Sequence, residues 1–307
     1  MAMSKWQLFL KATRFYSLPV MLVPVVLGTA AAYVWEKEFH PVLFILAFLG
    51  AGAAHLFSNM INDLWDYRNG TDTAAQQNSD LVSTHSGLLT GGIVSEKAFA
   101  ALTWLFLAFA VVCGVLLCVF SGWELLYFVV VGALIAYFYV APPLRFGYRG
   151  KGYSEVAILF AFGIMPVAGS YFVQTGEFSL RSVLLSLPVG ILTTLLLFNH
   201  HFLHWQSDRE VGKRTLVVVW GEQKALVLSR VMTLMAYVLL LVCIFAGVLP
   251  FYAVVALLSV LPLYRVYRGL AAQNPSVAYL PLMGASLKAS MWCGIIMSVA
   301  LLLESLI

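Results

Sequence analysis

The sequence predicts an all-α, polytopic membrane protein with nine transmembrane helices and a cytoplasmic N-terminus, built as one domain over residues 1–307. Three observations predict it. The chain is 62% hydrophobic and only 10% charged, with a mean hydropathy of +0.91. Apolar runs of about 20 residues, the length that spans a bilayer as a helix, recur from end to end. The few charges gather between those runs, so the net charge of +4 reports orientation and gives no sign of a nucleic-acid partner.

The first element is the basic segment Met1 to Arg14, which carries Trp6, Leu8 and Phe9 and lacks a small-residue cleavage site. It reads as an uncleaved interfacial segment. The nine spans follow at 16–35, 41–64, 98–120, 123–141, 155–174, 181–204, 225–247, 249–267 and 285–307. Between the second and third lies a polar stretch of about 30 residues, Asp66 to Lys97, long enough to suggest a function. Of the 18 Lys and Arg, only Lys37 and Arg181 fall in loops after odd-numbered spans. That asymmetry places the N-terminus and the ends of the even-numbered spans in the cytoplasm. The four cysteines, Cys113, Cys118, Cys243 and Cys293, sit inside apolar runs without metal-ligand spacing and read as small buried hydrophobes.

Two polar clusters close the second and sixth spans, about 140 residues apart. Carboxylates at a helix end in lipid are costly without a partner, which makes them functional candidates. Both spans run inward, so the clusters can face each other at one cytoplasmic mouth. In the first, His55, Asn59, Asn62, Asp63 and Asp66 share one helix face. Asp63 and Asp66, one turn apart, offer hard oxygen ligands that suit Mg²⁺ together with substrate phosphates; the plainer reading is a solvated helix end. In the second, His200, His204 and Asp208 recur at four-residue spacing and are expected to form one helical stripe. Imidazole suits proton transfer or Zn²⁺ better than Mg²⁺, and a hydrogen-bonded structural patch is the competing explanation. The cations Arg68, Arg145, Arg149, Lys151, Arg209, Lys213 and Arg214 are explained equally by membrane orientation or by a collar around a diphosphate. Gly212-Lys213-Arg214-Thr215 is not a nucleotide P-loop, since the upstream glycine and the strand are absent.

Asn62-Asp63-Leu64-Trp65-Asp66-Tyr67-Arg68-Asn69-Gly70-Thr71-Asp72 resembles the first aspartate-rich motif of the UbiA superfamily of intramembrane prenyltransferases. Its Gly-Thr-Asp ending is similar to the menaquinone branch, the 1,4-dihydroxy-2-naphthoate polyprenyltransferases. The segments 141–152, 171–176 and 208–216 look similar to that branch too, and the resemblance covers roughly residues 15–305.

The resemblance implies helices around a central cavity, with a prenyl diphosphate head on Mg²⁺ and its tail in an apolar tunnel. It implies that Asn59, Asn62, Asp63 and Asp66 belong to the first metal–diphosphate site, with Asp72 and Asp208 as further metal ligands. It implies Mg²⁺-dependent transfer of the isoprenyl group to an aromatic acceptor. The Lys and Arg asymmetry puts the active site toward the cytoplasm, and the expected location is a bacterial inner membrane. Aromatic faces at Tyr137, Phe138 and Tyr139 can stabilise the allylic cation, or simply pack. The second motif departs from the superfamily form Asn-Asn-x-Arg-Asp-x-x-x-Asp-Arg: here stand His200-His201-Phe202-Leu203-His204 before Asp208 and Arg209. One carboxylate and one phosphate-facing cation are gone, and His204 is a candidate replacement ligand or proton acceptor. A terpene cyclase, or transfer to a non-quinone acceptor, would suit the altered motif. A transporter or lipid-binding protein is the non-enzymatic alternative.

Overall fold

The computed structural model describes residues 3–70, 86–210 and 212–307. Among these the chain is all helical, and a single isolated bridge, Arg149 to Arg214, is its only β-type pairing. Asp72 lies outside the described residues.

The elements in chain order are α1 (Lys5–Ala12), α2 (Pro19–Glu36), α3 (Pro41–Arg68), α4 (Glu96–Ser121) and α5 (Leu125–Phe138). Then come α6 (Tyr153–Thr175), α7 (Leu180–His201), α8 (Trp205–Glu210), α9 (Leu216–Trp220), α10 (Glu222–Phe245), α11 (Phe251–Gly269) and α12 (Leu280–Glu304). Among the described residues, eight helical segments are long and apolar enough to cross a membrane. The predicted fourth span is the exception: α5 has 14 residues. At 1.5 Å rise per residue it is about 21 Å long, short of the ~30 Å hydrocarbon thickness.

Close backbone approaches hold the bundle together. A Cβ on Gly163 would stand 2.5 Å from the Gly190 Cα, and one on Gly28 would stand 2.1 Å from the Val167 carbonyl oxygen. Only glycine lets α6 sit this near α7 and α2. Beside Gly163, α6 widens into one π-turn over Phe160–Ile164. Such bulges recur at functional sites, and this one places Phe162 and Met165 on the wall of a central cavity.

The two ends of the bundle differ. At one, the His40 amide donates to Gln174 (2.6 Å), the Tyr171 hydroxyl donates to Glu36 (2.9 Å), and Arg181 lies over Trp35 at 4.0 Å. At the other, α3 and α7 end beside the loop 139–152 and the N-terminal segment, and Arg14, Asp63, Asp66, Tyr148, Asp208 and Lys213 gather there.

Candidate active site

Helix α3 carries the first cluster. It starts on Pro41 at its first turn, runs 28 residues and stops where Gly70 takes a left-handed φ of 77°. The helix thus continues through Asp63 and Asp66, as the spacing predicts. The aspartates nevertheless have different partners. Asp63 is 2% exposed; it forms an ion pair with Arg14 and accepts the Ser86 amide at 2.9 Å. Asp66 accepts the Tyr148 hydroxyl.

The second cluster is not one helical stripe. Helix α7 ends at His201, the chain turns through Phe202 and Leu203, and α8 begins at Trp205. The residues of the turn pack into the core. Phe202 and Leu203 are adjacent, yet both are fully buried, and Phe202 stacks on Tyr279 at 4.5 Å. His200 keeps edge contact with His204 (centroids 5.2 Å apart). Asp208 turns instead to Lys213, 3.5 Å away.

The loop 139–152 joins the clusters. Its backbone is left-handed at Arg145, Gly150, Lys151 and Gly152, a strained run of the kind found at functional sites. Gly147 folds back on Tyr139, donating to its carbonyl at 3.0 Å, where a Cβ would come within 2.8 Å of the Tyr139 ring. Tyr148 therefore reaches both clusters. Its hydroxyl donates to Asp66, its carbonyl accepts the Arg214 amide at 2.9 Å, and Lys213 Nζ lies 5.1 Å from its ring centre. Asp66 and Asp208 thus share one pocket of charge.

Electrostatics follow from that crowding. Burial pushes the Asp208 carboxyl up, with Lys213 opposing it. For Lys213 burial works downward, but Asp208 and Asp66 outweigh it and hold the ammonium charged. Burial raises the Tyr139 phenol; Lys213 opposes the rise, and Glu155, Asp66 and Asp208 add to it, so Tyr139 stays protonated.

Beneath lies a largely apolar cavity of about 370 Å³. Its polar wall includes Arg14, Ser17, His55, Asn59, Asn62 and His200, while Tyr139 and Phe162 face it as aromatics. Tyr137 and Phe138 do not line it. Tyr137 packs on Trp65, Trp104 and Phe138, so the structure gives these two residues to packing and only Tyr139 to the cavity.

The basic collar is smaller than expected. Arg145 donates to Asn69 at 2.8 Å, and its Nε is buried without a partner. Arg68 is exposed and paired with Glu96 at 2.8 Å. Arg149 is exposed and donates to the Pro143 carbonyl, while Lys151 and Arg209 are exposed. These four point into solvent because loop and helix-end geometry turns them outward. In their place the structure supplies Arg14 and Tyr148. Arg14 was hidden in a segment whose charge membrane orientation already explains. Tyr148 is signalled only by its place in a Gly- and Pro-rich loop between spans.

The donor set fits a hard divalent cation. Asn62 Oδ1 and Asp208 Oδ2 are buried oxygens without a hydrogen-bond partner, and carboxylate and amide oxygens suit Mg²⁺. Among the described residues no three His, Cys, Asp or Glu converge on a ready-made metal cage. That agrees with the habit of Mg²⁺ of completing its shell with substrate phosphates and water.

Comparison with known proteins shows the family and the fold. The chain is 25% identical over 299 residues to the 1,4-dihydroxy-2-naphthoate octaprenyltransferase of Bacillus subtilis, covering 97% of this chain and 92% of that protein. It is 30% identical over 236 residues to the Escherichia coli protein of the same name, covering 72% and 71%. A UbiA homologue from Archaeoglobus fulgidus, solved with GPP and Mg²⁺, superposes with a TM-score of 0.63 at 15% identity, covering 95% of this chain and 99% of that one. The pattern of the UbiA prenyltransferase family matches residues 21–293, and the chain belongs to that family.

Proposed function

We propose that this prenyltransferase moves an isoprenyl group from a prenyl diphosphate to 1,4-dihydroxy-2-naphthoate or a closely related quinone precursor, with Mg²⁺. The observation that carries this reading is the meeting of Asp66, Asp208, Lys213 and Tyr148 at the end of the bundle where Asn62, Tyr139 and His200 line an apolar cavity. The relatives named for naphthoate prenylation support the choice of acceptor.

Asp66, Asp208 and Asn62 would hold the cation, with Asp63 and Asp72 as further candidate ligands. Bound there, Mg²⁺ would offset the charge of the diphosphate and make it a better leaving group. Arg14, Arg145 and Lys213 donate to phosphate oxygens. The apolar cavity takes the isoprenoid tail and excludes water. The allylic C–O bond breaks with its electron pair going to the diphosphate, and the faces of Tyr139 and Phe162 stabilise the cation. The acceptor ring carbon then forms the C–C bond; for a 2-naphthoate the ring carboxylate leaves as CO₂.

The chain acts as a single domain with α5 as a ninth crossing. Its N-terminus and reaction site face the cytoplasm of a bacterial inner membrane, in agreement with the Lys and Arg distribution. Purified protein supplied with farnesyl diphosphate, 1,4-dihydroxy-2-naphthoate and Mg²⁺ is expected to yield a prenylated naphthalenoid by mass spectrometry. Absence of that product, with diphosphate released in the absence of acceptor, would replace this reading by a cyclase.

A further inference from the structure

Helix α8 depends on its neighbours for its position. It has six residues, Trp205–Glu210, fewer than two turns and too few to be stable alone. Asp208 rides on it, 3% exposed, with Lys213 at 3.5 Å from one carboxylate oxygen and no hydrogen-bond partner on the other. Whatever fixes α8 therefore fixes the place of that carboxylate.

The loop between α11 and α12, residues 270–279, reaches the α7–α8 segment twice. The Ser276 hydroxyl donates to the side-chain oxygen of Gln206 at 2.8 Å, two residues before Asp208 on the same helix. Tyr279, fully buried, stacks on Phe202 in the turn that leads into α8, with ring centroids 4.5 Å apart and planes 21° from parallel. The loop is itself anchored. The Asn274 backbone amide (2.7 Å) and the Tyr279 hydroxyl both donate to Oε1 of Glu222, the first residue of α10. The Asn274 side-chain amide donates to the Tyr279 oxygen and to the Ala271 carbonyl, each at 2.9 Å, and its oxygen accepts the Ala271 amide at 2.9 Å. A firmly tied loop thus grips the turn on one side of α8 and the first residues of α8 itself. None of residues 270–279 lines the cavity, so the loop has no direct route to the prenyl tail or the acceptor. We infer that Ser276 and Tyr279 are positioning residues, which hold α8, and with it Asp208, at the cation site through Gln206 and Phe202. This rests on the proposed Mg²⁺-dependent prenyl transfer and adds to it the element that keeps the second half of the site in place.

The test titrates the full-length protein with Mg²⁺ in the presence of pyrophosphate. The Mg²⁺ concentration giving half of the rise in melting temperature is compared for wild type, Ser276→Ala, Gln206→Ala, their double variant and Tyr279→Leu. Rates with farnesyl diphosphate, 1,4-dihydroxy-2-naphthoate and Mg²⁺ are measured in parallel. Losing the Ser276–Gln206 bond from either side should raise the Mg²⁺ midpoint about fivefold, and the double variant should shift it no further than either single change. Tyr279→Leu, which removes the ring against Phe202, should raise it at least as much; where that variant does not fold, the Ser276–Gln206 cycle decides. The KM for the naphthoate should stay within about twofold throughout. Tyr237→Phe is the control for a purely structural role: it removes a buried hydrogen bond to Ser259 (2.8 Å) between α10 and α11, and should lower the melting temperature without moving the Mg²⁺ midpoint. An unmoved midpoint in Ser276→Ala, an equal shift in Tyr237→Phe, or a naphthoate KM that rises in step overturns the inference and leaves prenyl transfer standing. Midpoints that shift as expected in a protein that forms no prenylated product overturn the proposed function alone. Wild type that Mg²⁺ and pyrophosphate together do not stabilise overturns both.

Discussion

The ends of α3 and α7 deliver aspartates to the same place by opposite means. Helix α3 does so by staying straight. Its hydrogen-bonded ladder continues through Asp63 and Asp66 to Arg68, so helical periodicity alone sets where the carboxylates point. Helix α7 does so by breaking after His201 into a turn whose Phe202 and Leu203 are fully buried. Asp208 then arrives on a separate short helix, steered by Lys213. The lesson concerns tolerance. A straight helix fixes its ligands through backbone geometry, whereas a turned segment depends on a few packed side chains, which leaves its histidine positions freer to differ from the family form.

The largest effects should come from the point where the two ends meet. Asp66→Asn and Asp208→Asn each remove a charge facing the cation site, and turnover should fall by about a hundredfold or more in each, read as product by mass spectrometry. Equal losses would mean that the ends act as one site; a loss in only one would separate them. Chelation by EDTA should abolish turnover, and Mg²⁺ should restore it. Pyrophosphate should raise the melting temperature of the protein only when Mg²⁺ is present.

Arg14→Ala tests how firmly the straight helix is anchored. It leaves the buried Asp63 carboxylate without its partner, and breaking such a pair costs about 3 kcal/mol. A clear drop in thermal midpoint is expected, relieved in the double variant Arg14→Ala, Asp63→Asn. His204→Asp tests the turned segment by restoring the family's carboxylate. A few-fold rise in Mg²⁺-dependent rate would mark the histidine as a weakened ligand, and a collapse would give it chemistry of its own. The smallest effect belongs to Arg68→Gln. Its exposed pairing with Glu96 stands apart from the site, so kcat and KM should stay within about twofold of wild type.

The sequence by itself determined the membrane class, the helical spans to within a few residues, and the convergence of the Asp63–Asp66 and Asp208 segments at one end of the bundle. These follow from local quantities: apolar run length, the 3.6-residue period and the distribution of Lys and Arg. Tertiary structure decided the rest. It chose Arg14 over Arg68 as the cation at the first cluster, because the N-terminal segment folds onto α3 while Arg68 turns to α4. It made Tyr148 the link between the clusters, since only folding of a left-handed loop brings residue 148 to residues 66 and 213. It ended α7 early: the turn through Phe202 and Leu203, with Phe202 stacked on Tyr279, is a matter of tertiary neighbours and leaves no mark on the helical period.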